Sequence, residues 1–159
     1  MKLKVKVSTY VKLTTLVVSG GLTGIALVYF HQELYTGGCV MIFLLLMLVT
    51  LGLNYAPMYV IVDSDNVKVK SLLKTWKIKL KDINRIEIFQ PTIGAIRICA
   101  SGGFMGHWGL YREGDVGNYI GFYGKSSDCF MIRLENGDKY VLGCEKPQLV
   151  VKKIRDKII

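Results

Sequence analysis

The chain has 159 residues, of which 51% are hydrophobic, and its 21 Lys plus Arg against 12 Asp plus Glu give a formal net charge of +9. If an N-terminal arm and two apolar runs take the first ~57 residues, about 100 remain, which is enough for one soluble domain and excludes a second of ordinary size. The four cysteines show no CxxC spacing, which argues against a zinc site and favours packed, reduced thiols.

Two apolar runs without a charged side chain lie near the N-terminus, at about residues 13–30 and 39–56. At 1.5 Å per residue the first makes a helix of about 27 Å, near the thickness of a bilayer's hydrocarbon core. The short connection between the runs allows only an antiparallel hairpin. A buried hairpin of a soluble bundle is the alternative, but a soluble helix of this length shows a charged face. The sequence therefore predicts a transmembrane helical hairpin.

A cleaved secretory signal peptide is a competing interpretation of the first run, with Lys2, Lys4 and Lys6 as its basic region. The apolar stretch is longer than a usual signal core, and no small-x-small cleavage site follows it. The second run immediately downstream also favours retention in the membrane.

The distribution of positive charge predicts the orientation. Lysines precede the first run and follow the second, whereas the connection carries only Glu33; the lysines are Lys2, Lys4, Lys6 and Lys12 before, and Lys68, Lys70 and Lys74 after. Because Lys and Arg near span ends are retained on the cytoplasmic side, both termini are expected in the cytoplasm.

Gly20 and Gly24 form a small-xxx-small pair in the first run. Such pairs let two helix backbones approach closely in lipid. The expected partner is the second run, and a homo-oligomer through the same glycines is an open alternative.

From Met58 onward the pattern changes to alternation, which is typical of half-buried strands. Strands are predicted at 59–62, 67–70, 76–81, 83–89, 119–123, 129–135 and 139–143, with a long glycine-rich connection from Gly94 to Gly117. The last two strands are joined by Asn136-Gly137-Asp138, a hairpin signal. An amphipathic helix from about 147 to 159 should plug the open end of this antiparallel barrel or sandwich.

This order of elements resembles the membrane-anchored bacterial PH-like (pleckstrin-homology-like) proteins. The resemblance rests most on residues 80–86, on the glycine- and aromatic-rich stretch 102–111, and on the strand pair 130–134 and 139–142. It implies an α+β membrane protein with the arm and hairpin at 1–57 and a PH-like β domain at 58–159. It also implies a bacterial inner membrane location, no catalytic residues and no cofactor.

Enzyme signals fail one at a time. Gly124-Lys125-Ser126 imitates the end of a P-loop, but the earlier glycine is missing and a strand, not a helix, follows. His107 could be drawn as a dyad with Cys99 or Asp115, yet no spacing supports it. In the predicted topology His31 and His107 fall on opposite sides of the membrane, so they are not expected to share a metal. A non-catalytic protein without metal or cofactor is therefore expected.

Basic residues are the one feature with a plausible binding role. Alternation places Lys68 and Lys70 on one face of their strand and Lys77, Lys79 and Lys81 on one face of theirs. If the strands pair, these five lysines form a patch that could rest on an anionic leaflet. The plain alternative is that lysines keep an exposed sheet edge soluble.

Three functions follow as hypotheses. The first is a non-catalytic, membrane-anchored module that binds a membrane or cytoplasmic protein or the membrane surface itself. The second is a sensor of anionic lipid headgroups. The third is an enzyme, or an accessory subunit of a membrane enzyme with the hairpin glycines as its docking face. The lipid bilayer is a partner in all three, and the tether disfavours nucleic acid although the net charge would permit it.

Overall fold

A computed structural model describes residues 1–158 of the chain, which form three α-helices, two single helical turns and ten strands. The helices are α1 (Thr9–His31), α2 (Tyr35–Tyr55) and α3 (Pro147–Ile158). The strands are β1 (Lys2–Lys4), β2 (Tyr59–Val62), β3 (Asn66–Lys70), β4 (Thr75–Lys79), β5 (Ile83–Ile88), β6 (Ile96–Gly102), β7 (His107–Glu113), β8 (Gly117–Tyr123), β9 (Cys129–Leu134) and β10 (Lys139–Gly143).

α1 and α2 form the predicted antiparallel hairpin, and both are long and apolar enough to cross a membrane. Only 6% and 11% of their most apolar windows are buried inside the protein, so they are not core helices. Thr15, Ser19 and Thr23 donate their hydroxyl protons to the carbonyl oxygens one turn earlier, at 2.7–2.8 Å. Their polar groups are therefore satisfied within the helix, as an apolar surrounding requires. These features indicate membrane association.

Gly20 and Gly24 do not make the expected contact with α2. A β-carbon at either position would meet no atom within 4 Å. The close approach within the hairpin occurs instead at Gly38, where a β-carbon would lie 2.7 Å from the ring of Phe30. The pair at 20 and 24 therefore lies on the outer, exposed surface of α1.

A four-stranded antiparallel sheet has the order β1-β2-β3-β4. Its inner face is almost entirely β-branched, as alternation predicts, with the buried residues Val60, Val62, Val67, Val69 and Ile78. Its outer face carries the lysines. The two faces follow directly from the period of two along each strand.

The N-terminal arm is the first strand of this sheet. Leu3 pairs with Val60, and beyond the strand the Glu145 amide donates to the Lys4 carbonyl at 2.9 Å. The Ser8 amide donates to the Gly124 carbonyl at 3.0 Å. The arm therefore closes the gap between the two sheets. A division of the chain at residue 57 stays a prediction, but residues before it complete the β domain.

The second sheet has six strands in the order β5-β9-β10-β8-β7-β6. The predicted antiparallel arrangement holds except between β8 and β10, which pair in parallel. The stretch from Gly94 to Gly117 is not a long connection, since it forms β6 and β7. With β1 in the arm, these two strands raise the number of strands from the seven predicted to ten.

Glycines occur inside these strands because neighbouring atoms leave no room for a side chain. At Gly109 these atoms are the backbone of Cys99 and Ala100 in β6, and at Gly121 they belong to two tyrosine rings. Gly109 pairs with Gly121, and a β-carbon at Gly121 would lie 2.9 Å from the Tyr111 ring and 3.0 Å from the Tyr123 ring. Tyr111 and Tyr119 stack with ring centroids 5.6 Å apart. Glycine in a strand commonly marks such a close approach.

The main core lies between the sheets and is closed by α3, which confirms the predicted C-terminal helix. Val150, Val151 and Ile154 of α3 are buried in it. A second, smaller core covers the other face of the six-stranded sheet and is built around Tyr111, Tyr119, Tyr123, Cys129, Met131 and Val141.

Candidate functional site

The turn between β6 and β7, residues 103–106, docks between the two long helices. The Met105 amide donates to Thr15 Oγ1 of α1 at 2.8 Å. On the opposite side, the Met105 side chain fills the space that a β-carbon would take at Gly52 of α2. Gly103 also approaches the Tyr10 ring of α1 closely, since a β-carbon there would lie 2.9 Å from the ring. The turn therefore fastens the β domain to both helices.

Internal hydrogen bonds make this turn rigid. Ser101 Oγ lies 3.0 Å from the Phe104 carbonyl and 3.1 Å from that of Gly106, and Trp108 Nε1 donates to the Phe104 carbonyl at 3.1 Å. Met105 has φ of 55°, in the left-handed region that a non-glycine residue rarely occupies. Such a conformation persists only where the surroundings fix it. The turn is thus a shaped plug and not a loose loop.

An aromatic column continues the connection from α2 into the main core. The Tyr55 ring lies 5.4 Å from that of Trp108 and 5.8 Å from that of Trp76, which in turn lies 5.5 Å from Phe122. Lys74 Nζ lies 4.1 Å above the Trp76 ring, a cation–π contact. The end of α2 is therefore packed into the β domain.

The turn between β3 and β4 lies beside the same end of α2. The Leu73 amide donates to the Leu53 carbonyl at 3.1 Å. Leu72 and Leu73 are nevertheless 57% and 64% exposed. Two adjacent exposed leucines at the tip of a turn, next to the last turn of an apolar helix and flanked by Lys70 and Lys74, have the composition of an interfacial segment.

Four of the five predicted patch lysines share the outer face of the four-stranded sheet. Lys68 lies opposite Lys77, while Lys70 and Lys79 occupy the two ends of the β3–β4 ladder. Lys81 lies beyond the strand, in the helical turn that follows β4. Lys70 lies beside Met58, just after the end of α2, whereas β4 runs away from the helices toward Lys79. The five lysines therefore lie at different distances from the helix hairpin.

One patch lysine is already paired. Lys68 Nζ lies 2.5 Å from Asp63 Oδ2. The hydrogen bond from Lys68 holds the pKa of the Asp63 carboxyl below its usual value. The charge of Lys68 is therefore partly neutralised in the resting structure, and Lys2 and Lys4 of β1 add basic residues to the same outer face.

His107 is held by aromatic stacking. Its ring is stacked on that of Tyr123, with ring centroids 4.8 Å apart. The Tyr10 ring of α1 is also nearly parallel to it, with ring centroids 6.4 Å apart. Burial, followed by the nearby Arg97, lowers the pKa of His107. Within residues 1–158 it makes no hydrogen bond to Cys99 or Asp115. The ring acts as a spacer between α1 and the smaller core.

The buried cysteines are packed thiols. Burial raises the pKa of Cys144 to about 12 and also raises that of Cys129. Both thiols therefore stay protonated near neutral pH, which makes them poor nucleophiles. Across residues 1–158 no group of three His, Cys, Asp or Glu side chains is placed to hold a metal ion. Lys125 precedes a single helical turn and then β9, so the P-loop imitation has no helix.

A mixed sandwich of two sheets, closed at one end by a C-terminal helix, defines the class of PH-like β domains. The family model of the bacterial PH domain matches residues 58–158, and the chain belongs to that family. No curated protein and no solved structure matches the chain significantly. The resemblance drawn from the sequence is thereby confirmed, and the β1 strand lies outside the matched range.

The residues that join the turn to the two helices carry no signal of that contact in the sequence. Thr15, Gly52 and Met105 are far apart in the chain. Thr15 and Gly52 belong to no motif, and Met105 lies in the stretch 102–111 that carries the family resemblance but indicates no contact with the helices. The pair Leu72-Leu73 carried a signal, because two leucines between two alternating strands break the alternation at a turn. Arg97, which lies near His107, belongs to no sequence pattern that indicates a binding role.

Proposed function

We propose that the chain is a non-catalytic, membrane-anchored binding module that holds one end of its PH domain against the cytoplasmic leaflet. The observation that supports this most is the β6–β7 turn docked between α1 and α2. A domain on a flexible tether would face the membrane in any direction, whereas this one has a fixed lower end. A fixed orientation is useful to a module that acts by presenting a surface.

The lower end of the domain has the chemistry of a membrane surface contact. It combines the exposed Leu72 and Leu73 with Lys4, Lys70 and Lys74. A lysine near an anionic leaflet contributes about 1 kcal/mol, and this falls away within a Debye length of about 8–10 Å. At about 3.3 Å per residue, Lys79 is about 17 Å along β4 from Lys74. Lys79 and Lys81 therefore belong to the part of the patch that faces solvent.

Photo-crosslinking tests this role in membranes of a bacterial host. A photoreactive residue at Leu73 should crosslink to lipid, and one at Lys79 should not. Extraction with alkaline carbonate should leave the full chain in the membrane pellet. Release by carbonate, or equal lipid crosslinking at both positions, would contradict the proposal.

Binding of a protein partner is the second candidate, favoured by the edge strand β6. Its side chains Ile96 and Ile98 are 64% and 51% exposed, and the strand has one neighbour, β7, among residues 1–158. An exposed apolar edge can accept a strand of another protein. A photoreactive residue at Ile98 that captures one stoichiometric protein in mild detergent would support it, with Arg112 of β7 as the control position.

A further inference from the structure

An open cleft of ≈ 540 Å³ lies between the helix hairpin and the β6–β7 turn. One wall is a stripe of α1 that includes Thr14 and Val18, and the opposite part comes from Leu48 and Leu51 of α2. The roof is formed by β6, with Arg97 as the single charged residue of the lining. The cleft thus combines apolar helix surface with one cation.

The apolar part of the cleft reaches well below the junction. Val18 lies six residues past Lys12 along α1, and Leu48 lies seven residues before the end of α2, which correspond to about 9 and 10 Å of helix. In a chain whose hairpin crosses the bilayer, this is the depth of the first methylene groups of an acyl chain. The cleft therefore spans the boundary between headgroups and hydrocarbon.

Arg97 is placed to meet an anion at the upper end of the cleft. Its side chain is exposed, and no carboxylate of residues 1–158 lies within salt-bridge distance of its nitrogens. The guanidinium lies over Gly102, in the space that a β-carbon would occupy there, with Nε 2.8 Å from that position. The glycine therefore lets the guanidinium lie flat along β6. A planar guanidinium with free donors matches a phosphodiester better than an ammonium does.

We infer that this cleft binds one anionic phospholipid, with its phosphodiester at Arg97 and the start of an acyl chain against Val18 and Leu48. The inference rests on the proposed membrane anchoring. It differs from leaflet attraction by the outer lysines, because it is a single site with a shape. A lipid is favoured over a second copy of the chain because a lipid supplies both the anion and the apolar segment at the observed depth.

Native mass spectrometry of the full chain tests this site. The protein is taken from nanodiscs of phosphatidylcholine with a minor share of phosphatidylglycerol, and the lipids that remain bound are counted. The expected result is one retained phosphatidylglycerol, with an apparent affinity that falls about tenfold in Arg97→Gln, the size of one lost charge-assisted hydrogen bond. Gly102→Ala, which displaces the guanidinium without removing it, should show a similar loss. Arg112→Gln, an exposed arginine of β7 outside the cleft, should retain the lipid.

Several outcomes would overturn the site. Equal retention of phosphatidylcholine and phosphatidylglycerol, or equal retention by Arg97→Gln and Arg112→Gln, would do so. Displacement of the lipid by millimolar inorganic phosphate would show a phosphate site and not a lipid site, and a lipid-free dimer would show a protein interface. If Arg97→Gln shows no cooperative thermal transition, its retention of lipid cannot be compared. Gly102→Ala and Arg97→Lys then replace it, and both should retain less phosphatidylglycerol than the unsubstituted chain. A chain that stays in carbonate-washed membranes but retains no lipid contradicts this inference alone, whereas release by carbonate contradicts the anchoring on which it rests.

Discussion

Met105 and Gly52 are complementary across the junction: the thioether of the turn occupies the volume that any side chain at position 52 would need. The contact links a β-hairpin tip to the last turn of an apolar helix. Thr15 bonds the same turn from the other helix, and together with the aromatic contacts of Tyr55 these atoms hold the domain over the hairpin.

Gly52→Leu should separate the turn from α2. Overpacking of a tight contact costs about 1–3 kcal/mol, which should appear as a lower midpoint of thermal unfolding for the full chain in detergent. Gly24→Leu, at a helix glycine in open space, is the matched control and should leave the midpoint nearly unchanged. If the two substitutions lower the unfolding midpoint equally, the contact between Met105 and Gly52 does not hold the domain against α2.

Ile154→Ala should destabilise the β domain, since the side chain is fully buried under the sheets. A large-to-small change of this kind costs about 2–5 kcal/mol, and denaturant unfolding would measure it. Lys153→Ala, on the exposed face of the same helix, should change stability by less than about 0.5 kcal/mol. A domain that unfolds with the same midpoint after removal of residues 147–159 would contradict the role of α3 as a plug.

The predicted orientation can be tested by cysteine accessibility in a background without the native cysteines. Thr36→Cys should react with a membrane-impermeant maleimide added to intact cells, and Ser127→Cys should react only after the cells are opened. The opposite pattern would place the β domain outside.

Only the lower lysines should respond to the leaflet. In nanodiscs that contain anionic lipid, an environment-sensitive dye on Leu73→Cys should report an apolar surrounding. The double substitution Lys70→Gln with Lys74→Gln should weaken the dye signal, because each lysine contributes about 1 kcal/mol to the attraction between the domain and the leaflet. High salt should weaken it further. Lys79→Gln with Lys81→Gln is the control pair and should leave the dye signal unchanged. If the control pair weakens the signal equally, the contact surface includes the whole patch of five lysines and not only its lower part.

Stability should fall in alkaline solution. Burial raises the pKa values of Cys144 and Tyr111 to about 12 in the folded protein, so the unfolded chain loses these protons first. The stabilisation is complete below about pH 9 and is lost as the pH rises toward 12, by about 1.4 kcal/mol per pH unit for each group that is ionised only when unfolded. Denaturant midpoints between pH 8 and 11 measure this slope. Cys144→Ala should make the slope shallower, and an unchanged slope would show that this thiol does not contribute.

Local patterns were sufficient for the elements whose signals lie within one segment. The absence of charge predicted α1 and α2, alternation predicted β2 to β5 and β8 to β10, and the stripe of Val150, Val151 and Ile154 predicted α3. The glycine-rich stretch is typical of a connection when it is read locally, because its glycines are explained only by contacts within the folded sheet. An example is the close approach of Gly109 to the β6 backbone at Cys99 and Ala100. Lys2–Lys4 has no strand signal in the sequence, because three residues acquire strand structure only from a partner, here β2.

The sequence by itself determined that the chain has an apolar hairpin and a PH-like β domain, since hydrophobic periodicity acts over a few turns or a few strand residues. Tertiary structure alone decided how the two parts meet. The contacts of Met105 with Thr15 and Gly52 join positions about 90 and 50 residues apart, and no local pattern encodes such a distance. The same docking sets the height of each lysine and creates the cleft at Arg97, because both depend on where a rigid turn fits between two helices.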